Sequence, residues 1–323
     1  MKLINNFPYI AMMTKLFGRC CVALFLLLLA PLGHTEISYR IIGGADAPNH
    51  RWPSVVAVKQ KLNNEVICGG NLIHPEWVIT AAHCIRGSIA GKPFKYSQHD
   101  LVIYTGSQDL FSEYGREVPI RYIITHPQYD PEKGINDIAL IHLSEAVQHA
   151  IIPNYKSSFL APGEAVVVVG WGARRMQNGE PRDFPNRLNQ AVVPVVARSV
   201  CNAKNAYNGK ITDKQLCAGF SDGGRDSCIG DSGGPLLLKK NGSYRQIAIV
   251  SYGQGCGQAH KYGVYTFLPS YADWIYQFVP LPLIDSTVPD KVTSVVKAGS
   301  VTSNFLLFIL VLVLFRPYLR QNK

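Results

Sequence analysis

An all-β domain, a sandwich or a barrel, with one helix near its end is what this sequence predicts, and three observations predict it. Residues 51–279 form a succession of short β-prone runs, among them 54–58, 77–80, 138–142, 165–169 and 246–251. Glycine and proline separate these runs, as expected of many short strands joined by tight turns. The chain has 323 residues, 47% of them hydrophobic, which is enough for a sizeable buried core and too apolar for a disordered segment. The helix is expected at 271–278, where Ala272, Ile275 and Tyr276 recur at helical spacing.

The ends of the chain read differently from its middle. Residues 1–35 have the layout of an export signal: Lys2, Lys15 and Arg19 precede an apolar run at 22–30, and small and turn residues follow. Residues 36–40 then form a short propeptide, and 41–279 the folded domain. Residues 280–303 carry prolines, serines and threonines with no core pattern and read as a linker. Residues 304–323 are an apolar tail with a basic end. Its unbroken run, 305–315, spans roughly 16 Å as a helix against the ~30 Å of a hydrocarbon core, so a spanning anchor is marginal. The tail is similar to the processed C-terminal sorting tails of some secreted bacterial proteases, with small residues at Ala298, Gly299 and Ser300 but without their diglycine. An exported protein is expected, either secreted or held at the cell surface by membrane association of this tail.

Loss of the signal also removes Cys20 and Cys21. That leaves Cys68, Cys84, Cys201, Cys217, Cys228 and Cys256, an even set suited to an oxidising compartment, whose fifteen pairings spacing alone does not resolve. The formal charge of +10 is concentrated in the flanks: 41–279 holds 23 Lys and Arg against 19 Asp and Glu, a net of +4. Nucleic acid is therefore not an expected partner.

Three separated segments each carry one part of an acyl-transfer machine: Thr80-Ala81-Ala82-His83-Cys84, Asn136-Asp137-Ile138-Ala139-Leu140 and Gly230-Asp231-Ser232-Gly233-Gly234-Pro235. A serine hydroxyl is a poor nucleophile at neutral pH, so it needs a base to take its proton and a third group to hold that base in one tautomer. The reading assigns attack to Ser232, proton transfer to His83 and orientation of the imidazole to Asp137. The N–H groups of Gly230 and Ser232 are the expected donors to the oxyanion. The chain order His, Asp, Ser differs from the subtilisin and α/β-hydrolase orders.

Together with Ile41-Ile42-Gly43-Gly44, Cys68-Gly69-Gly70, Gly170-Trp171-Gly172 and Ser251-Tyr252-Gly253, these segments resemble the chymotrypsin-family serine proteases, and trypsin within them. The resemblance implies two perpendicular six-stranded antiparallel β-barrels with a C-terminal helix and the active site between the barrels. It implies pairing of Cys68 with Cys84, Cys201 with Cys217 and Cys228 with Cys256. It places Asp226 at the base of the primary specificity pocket, with Ser251, Gly253 and Gly263 also contacting substrate, so that peptide bonds after Arg or Lys are cut. It makes Arg40 and Ile41 a zymogen junction, whose new Ile41 amine would pair with Asp231. Expected partners are protein substrates with Arg or Lys before the cut, protease inhibitors and an activating protease.

Some residues depart from trypsin's pattern. Tyr252 stands where a tryptophan is common, and Tyr262 where trypsin has proline, a place at which an aromatic residue accompanies sodium binding in some relatives. The loop 107–117 is shorter than trypsin's calcium loop, and His50, His74, His99, His126, His142, His149 and His260 show no ligand spacing; no metal or other cofactor is expected. Asn241-Gly242-Ser243 fits a glycosylation acceptor. Two rival readings are a catalytically inactive binding module and a basic surface for acidic polymers with incidental proteolysis. The retained His83, Asp137, Ser232 and Gly230 speak against the first, and the second predicts steeply salt-dependent retention on such polymers.

Overall fold

The computed structural model describes residues 42–89, 91–147 and 160–280. The signal, the Arg40–Ile41 junction, most of the linker and the apolar tail expected above lie outside the described residues. The first half of the domain is a closed antiparallel barrel of β2 (Val55–Gln60), β3 (Val66–His74), β4 (Trp77–Thr80), β9 (Ala139–Leu143), β8 (Arg116–Thr125) and β7 (Leu101–Thr105), in that spatial order. In the second half β13 (Asn189–Val196), β10 (Ala165–Gly170), β15 (Pro235–Lys240), β16 (Ser243–Tyr252), β17 (Gly263–Phe267) and β14 (Gln215–Ala218) follow one another. Pairing of β14 with β13 closes this second six-stranded barrel, and the short β1 (Ala45–Asp46) adds to the outside of β13. Two exposed hairpins, β5–β6 (Arg86–Ile89 and Lys92–Lys95) and β11–β12 (Arg175–Gln177 and Glu180–Arg182), stand apart from both barrels.

The contact between the halves explains why β2 reads as a continuous apolar run rather than an alternation. Val56 and Val58 point into the first barrel, while Val55 and Ala57 pack with Val167, Val169 and Leu237 of the second. Both faces are buried, so neither has reason to be polar. Asn71 Nδ2 also donates to Gln246 Oε1 across this junction at 2.9 Å, a buried polar pair that fixes how β3 meets β16.

The expected late helix is present but shorter. A 3₁₀ turn, Leu268–Tyr271, leads into α2 (Ala272–Tyr276); α1 (Arg198–Cys201) is a single turn earlier in the chain. The inward residues are Tyr271, Ile275 and Val279, all buried in the first barrel's core, whereas Tyr276 is exposed. Spacing of four places these three on one helical face, so the end of the chain crosses back from the second barrel and docks on the first.

All three disulfides implied by the resemblance are formed: Cys68–Cys84, Cys201–Cys217 and Cys228–Cys256. Loops closed by bridges of this separation are stabilised by about 3 kcal/mol each.

Candidate active site

His83 sits in a 3₁₀ turn, Ala82–Cys84, directly after β4. Ala81 and Ala82 are buried and Cys84 is tied to β3, so this turn has little freedom. Asp137 lies just before β9, and the left-handed Asn136 (φ +57°) turns the chain so that the carboxylate faces His83. Asn136 holds that conformation by donating from Nδ2 to Gln128 O at 2.7 Å.

Asp137 is only 2% exposed, yet its carboxylate is fully engaged. Oδ2 accepts from His83 Nδ1 at 2.8 Å and from Ser251 Oγ at 2.5 Å, and Oδ1 accepts from the His83 backbone N–H at 2.9 Å. Burial alone would push the Asp137 carboxyl up, but the imidazole, the hydroxyl and the N–H outweigh it and hold the group below its ordinary range. For His83, burial lowers the imidazole, and the charge and hydrogen bond of Asp137 more than reverse this, so it titrates above its ordinary 6.5. A proton fixed on Nδ1 by Asp137 leaves Nε2 as the acceptor.

The hydroxyl of Ser251, a residue expected to contact substrate, is committed to Asp137. Thr266 was not anticipated at all. Its Oγ1 donates to Asp137 O at 2.8 Å from β17, and one threonine within an apolar strand gives no sequence signal.

Ser232 is carried to the same junction by its neighbours. Its carbonyl accepts from Gly69 N–H at 2.8 Å, and Gly233, at φ +79°, packs so closely on Thr80 and Gly69 that any side chain there would overlap them. A Cβ on Gly233 would also lie 3.1 Å from Cys84 Sγ, beside His83. The Ser232 loop and the histidine turn are thus pressed together. A His83 Nε2 to Ser232 Oγ hydrogen bond is not among those formed by the described residues; such bonds are often long until substrate is bound. Gly230, at φ +98°, adopts a conformation that suits glycine, and a Cβ there would lie 3.0 Å from Gly172 Cα. The N–H groups of Gly230 and Ser232 donate to no acceptor among the described residues.

Asp226 is 3% exposed. Its Oδ2 accepts from Gly257 N–H at 3.0 Å, while its Oδ1 meets no donor among the described residues. A Cβ on Gly263 would lie 2.8 Å from that Oδ1, so the glycine keeps the space above it open. Gly253 adjoins open space, its nearest neighbour being Gly255 O. Burial, opposed by backbone donors, pushes the Asp226 carboxyl up to about 7. The Cys228–Cys256 bridge joins the two segments that carry these residues.

Asp231, fully buried, accepts from Cys228 N–H and Gly172 N–H at 2.9 and 2.8 Å, and burial raises it to about 6. Gly170 and Gly172 both flank its carboxylate so tightly that a Cβ on either would overlap it. Gly172→Ala is therefore expected to destabilise the domain by about 1–3 kcal/mol, read as a lower urea midpoint with an unchanged slope. Ile41, the expected partner of Asp231, lies outside the described residues.

A cleft of about 700 Å³ runs away from His83 between Tyr129, Ile135, Tyr207, Tyr252 and Gln254. Tyr252 is braced in its wall: Gln215 Nε2 donates to its hydroxyl at 3.2 Å, and Tyr207 meets it edge-on at 6.0 Å. Among the described residues the one grouping with metal-ligand proximity is Cys68, His83 and Cys84, and its two sulfurs are bonded to each other.

Two closed six-stranded antiparallel barrels with an imidazole and a buried carboxylate meeting at their junction define the chymotrypsin fold. The sequence model of the family described as Trypsin matches residues 41–275, and the chain belongs to that family of serine proteases.

Proposed function

We infer that the protein is an endopeptidase that cuts after Arg or Lys and is made as a precursor activated by cleavage after Arg40. The reading rests above all on Asp226, a buried carboxylate with one oxygen unpaired below the opening left by Gly263. A buried charge without a partner is costly, and the guanidinium or ammonium of an incoming side chain supplies the missing donors.

With that side chain seated, the scissile carbonyl lies at Ser232. His83 Nε2 takes the proton of Ser232 Oγ as the oxygen attacks, and Asp137 stabilises the imidazolium that results. The N–H groups of Gly230 and Ser232 receive the negative oxygen of the tetrahedral intermediate. Collapse expels the amine, which receives the proton from His83, and leaves an acyl-enzyme on Ser232. Water, deprotonated by the same imidazole, then hydrolyses the ester.

In the precursor Asp231 is a buried carboxylate with two neutral backbone donors. Cleavage after Arg40 frees the Ile41 amine as a cation that would satisfy it and order the neighbouring Gly230. Export, and membrane association through the tail, belong to the same proposal, as do protein inhibitors and an upstream protease as partners.

The test is to cut the purified precursor after Arg40, label it with a fluorophosphonate and profile its cleavage of a peptide library. Labelling of Ser232 with Arg or Lys before each cut is expected. A folded, cut protein that takes no label would mark an inactive binding module instead. The pH dependence follows from His83, which must be neutral to accept a proton. Below its raised value the base is lost, so kcat/KM is expected to fall on the acid side with an apparent pKa above 6.5.

A further inference from the structure

The hairpin between β15 and β16 turns through Asn241 and Gly242, both at positive φ (+51° and +82°), and lifts Lys239, Lys240 and Arg245 into solvent. Lys239 is register partner to Tyr244, whose ring lies at the centre of a group of cations. Arg51 Cζ lies 5.1 Å from the Tyr244 ring centre and 5.7 Å from that of Trp52, and Lys239 Nζ lies 6.0 Å from Tyr244. Arg187 joins the row from the other side, donating from Nη2 to Asn49 Oδ1 at 2.6 Å, two residues before Arg51. None of Arg51, Arg187, Lys239, Lys240 and Arg245 forms an ion pair with a described residue. Of the acidic groups close by in the fold, Asp46 lies on β1, and Asp109 accepts the Phe111 N–H at 3.0 Å.

Cations that serve only solubility hang free, whereas three of these are held by specific contacts. Fixing them in advance lowers the ordering cost when a polyanion binds. We propose that the row Arg187, Arg51 and Lys239, with Lys240 beside it at the end of the hairpin, is a binding surface for a sulfated polysaccharide. The planar guanidinium groups match two oxygens of one sulfate, and the lysines act as point charges. One feature favours this partner over a nucleic acid. The Tyr244 ring is already taken by Trp52, edge-on at 4.7 Å, and by the two cations, so it offers no platform for a nucleobase.

Full-length protein and the variant Arg51→Gln/Lys239→Gln/Lys240→Gln are compared on immobilised heparin under a sodium chloride gradient. The variant is expected to elute at lower salt, with a log–log dependence of affinity on salt shallower by roughly two to three. Lys239→Gln/Lys240→Gln, which leaves Arg51 on its rings, is expected to show a smaller shift in the same direction with an unchanged melting temperature. Hydrolysis of a small arginyl substrate by the cut enzyme is expected to be the same for all three proteins. Equal elution of wild type and both variants would overturn the proposal. So would stronger retention on duplex DNA, or a wild-type-only co-sedimentation with phosphatidylserine vesicles that exceeds heparin binding.

Discussion

Asp137→Asn is expected to lower kcat of the activated enzyme by about 10⁴ at neutral pH, as the same substitution does in a homologous triad. Asp137 Oδ2 receives the proton on His83 Nδ1 at 2.8 Å. An amide can present its NH₂ there instead, and the imidazole then carries its proton on Nε2, where it cannot act as a base. Asparagine has nearly the same shape: the His83 backbone N–H keeps an oxygen acceptor at the Oδ1 position, and the Ser251 hydroxyl, which donated to Oδ2, turns to accept from the amide there, so substrate binding is expected to survive. The measurement is kcat against KM over pH 6 to 10. A KM within about threefold of wild type with a collapsed kcat supports the orienting role; loss of both in equal measure would point to a structural one.

The second large effect concerns selection rather than chemistry. Asp226→Ser is expected to reduce kcat/KM for an arginyl substrate by about 10²–10⁴, equivalent to the 3–5 kcal/mol lost when a buried charge is left without its partner. Because Asp226 is raised to about 7 in the empty site, wild-type affinity for a cationic side chain also weakens as pH falls below that value and the carboxyl takes up a proton. The serine variant lacks this limb. An Arg and Lys preference that survived the substitution in a peptide-library profile would remove Asp226 from the pocket.

How much of this was legible in the sequence differs between the frame and its fittings. His83, Asp137 and Ser232 stand out because each lies in a run of small or apolar residues where a reactive group is unusual, and because three such runs occur in a telling order. The disulfides followed from the resemblance and are formed as it implies. Ser251 was singled out by resemblance alone, and as a substrate contact rather than as a partner of Asp137, and Thr266 not at all, since a hydroxyl in a strand is ordinary. What makes them matter is that β16 and β17 of the second barrel come to rest against Asp137 of the first. The helix near the end was found with its register misread: 271–278 fits helical spacing in more than one phase, and only docking on the first barrel selects Tyr271, Ile275 and Val279. Hairpins such as β5–β6 and β11–β12 were missed because exposed ribbons rich in Arg, Lys and Pro have no buried face to impose a pattern.

The grip of Ser251 and Thr266 on Asp137 spans the seam between two separately closed barrels. Either half could in principle close its own ladder of strands, but the carboxylate is clasped only once both have come together. The proton shared between His83 and Asp137 is therefore a reporter of assembly: in a refolding experiment its low-field magnetic resonance should emerge late, after strand formation is complete. A chain arrested with two formed but undocked halves would be rich in sheet and devoid of that signal, and as a protease it would be inert.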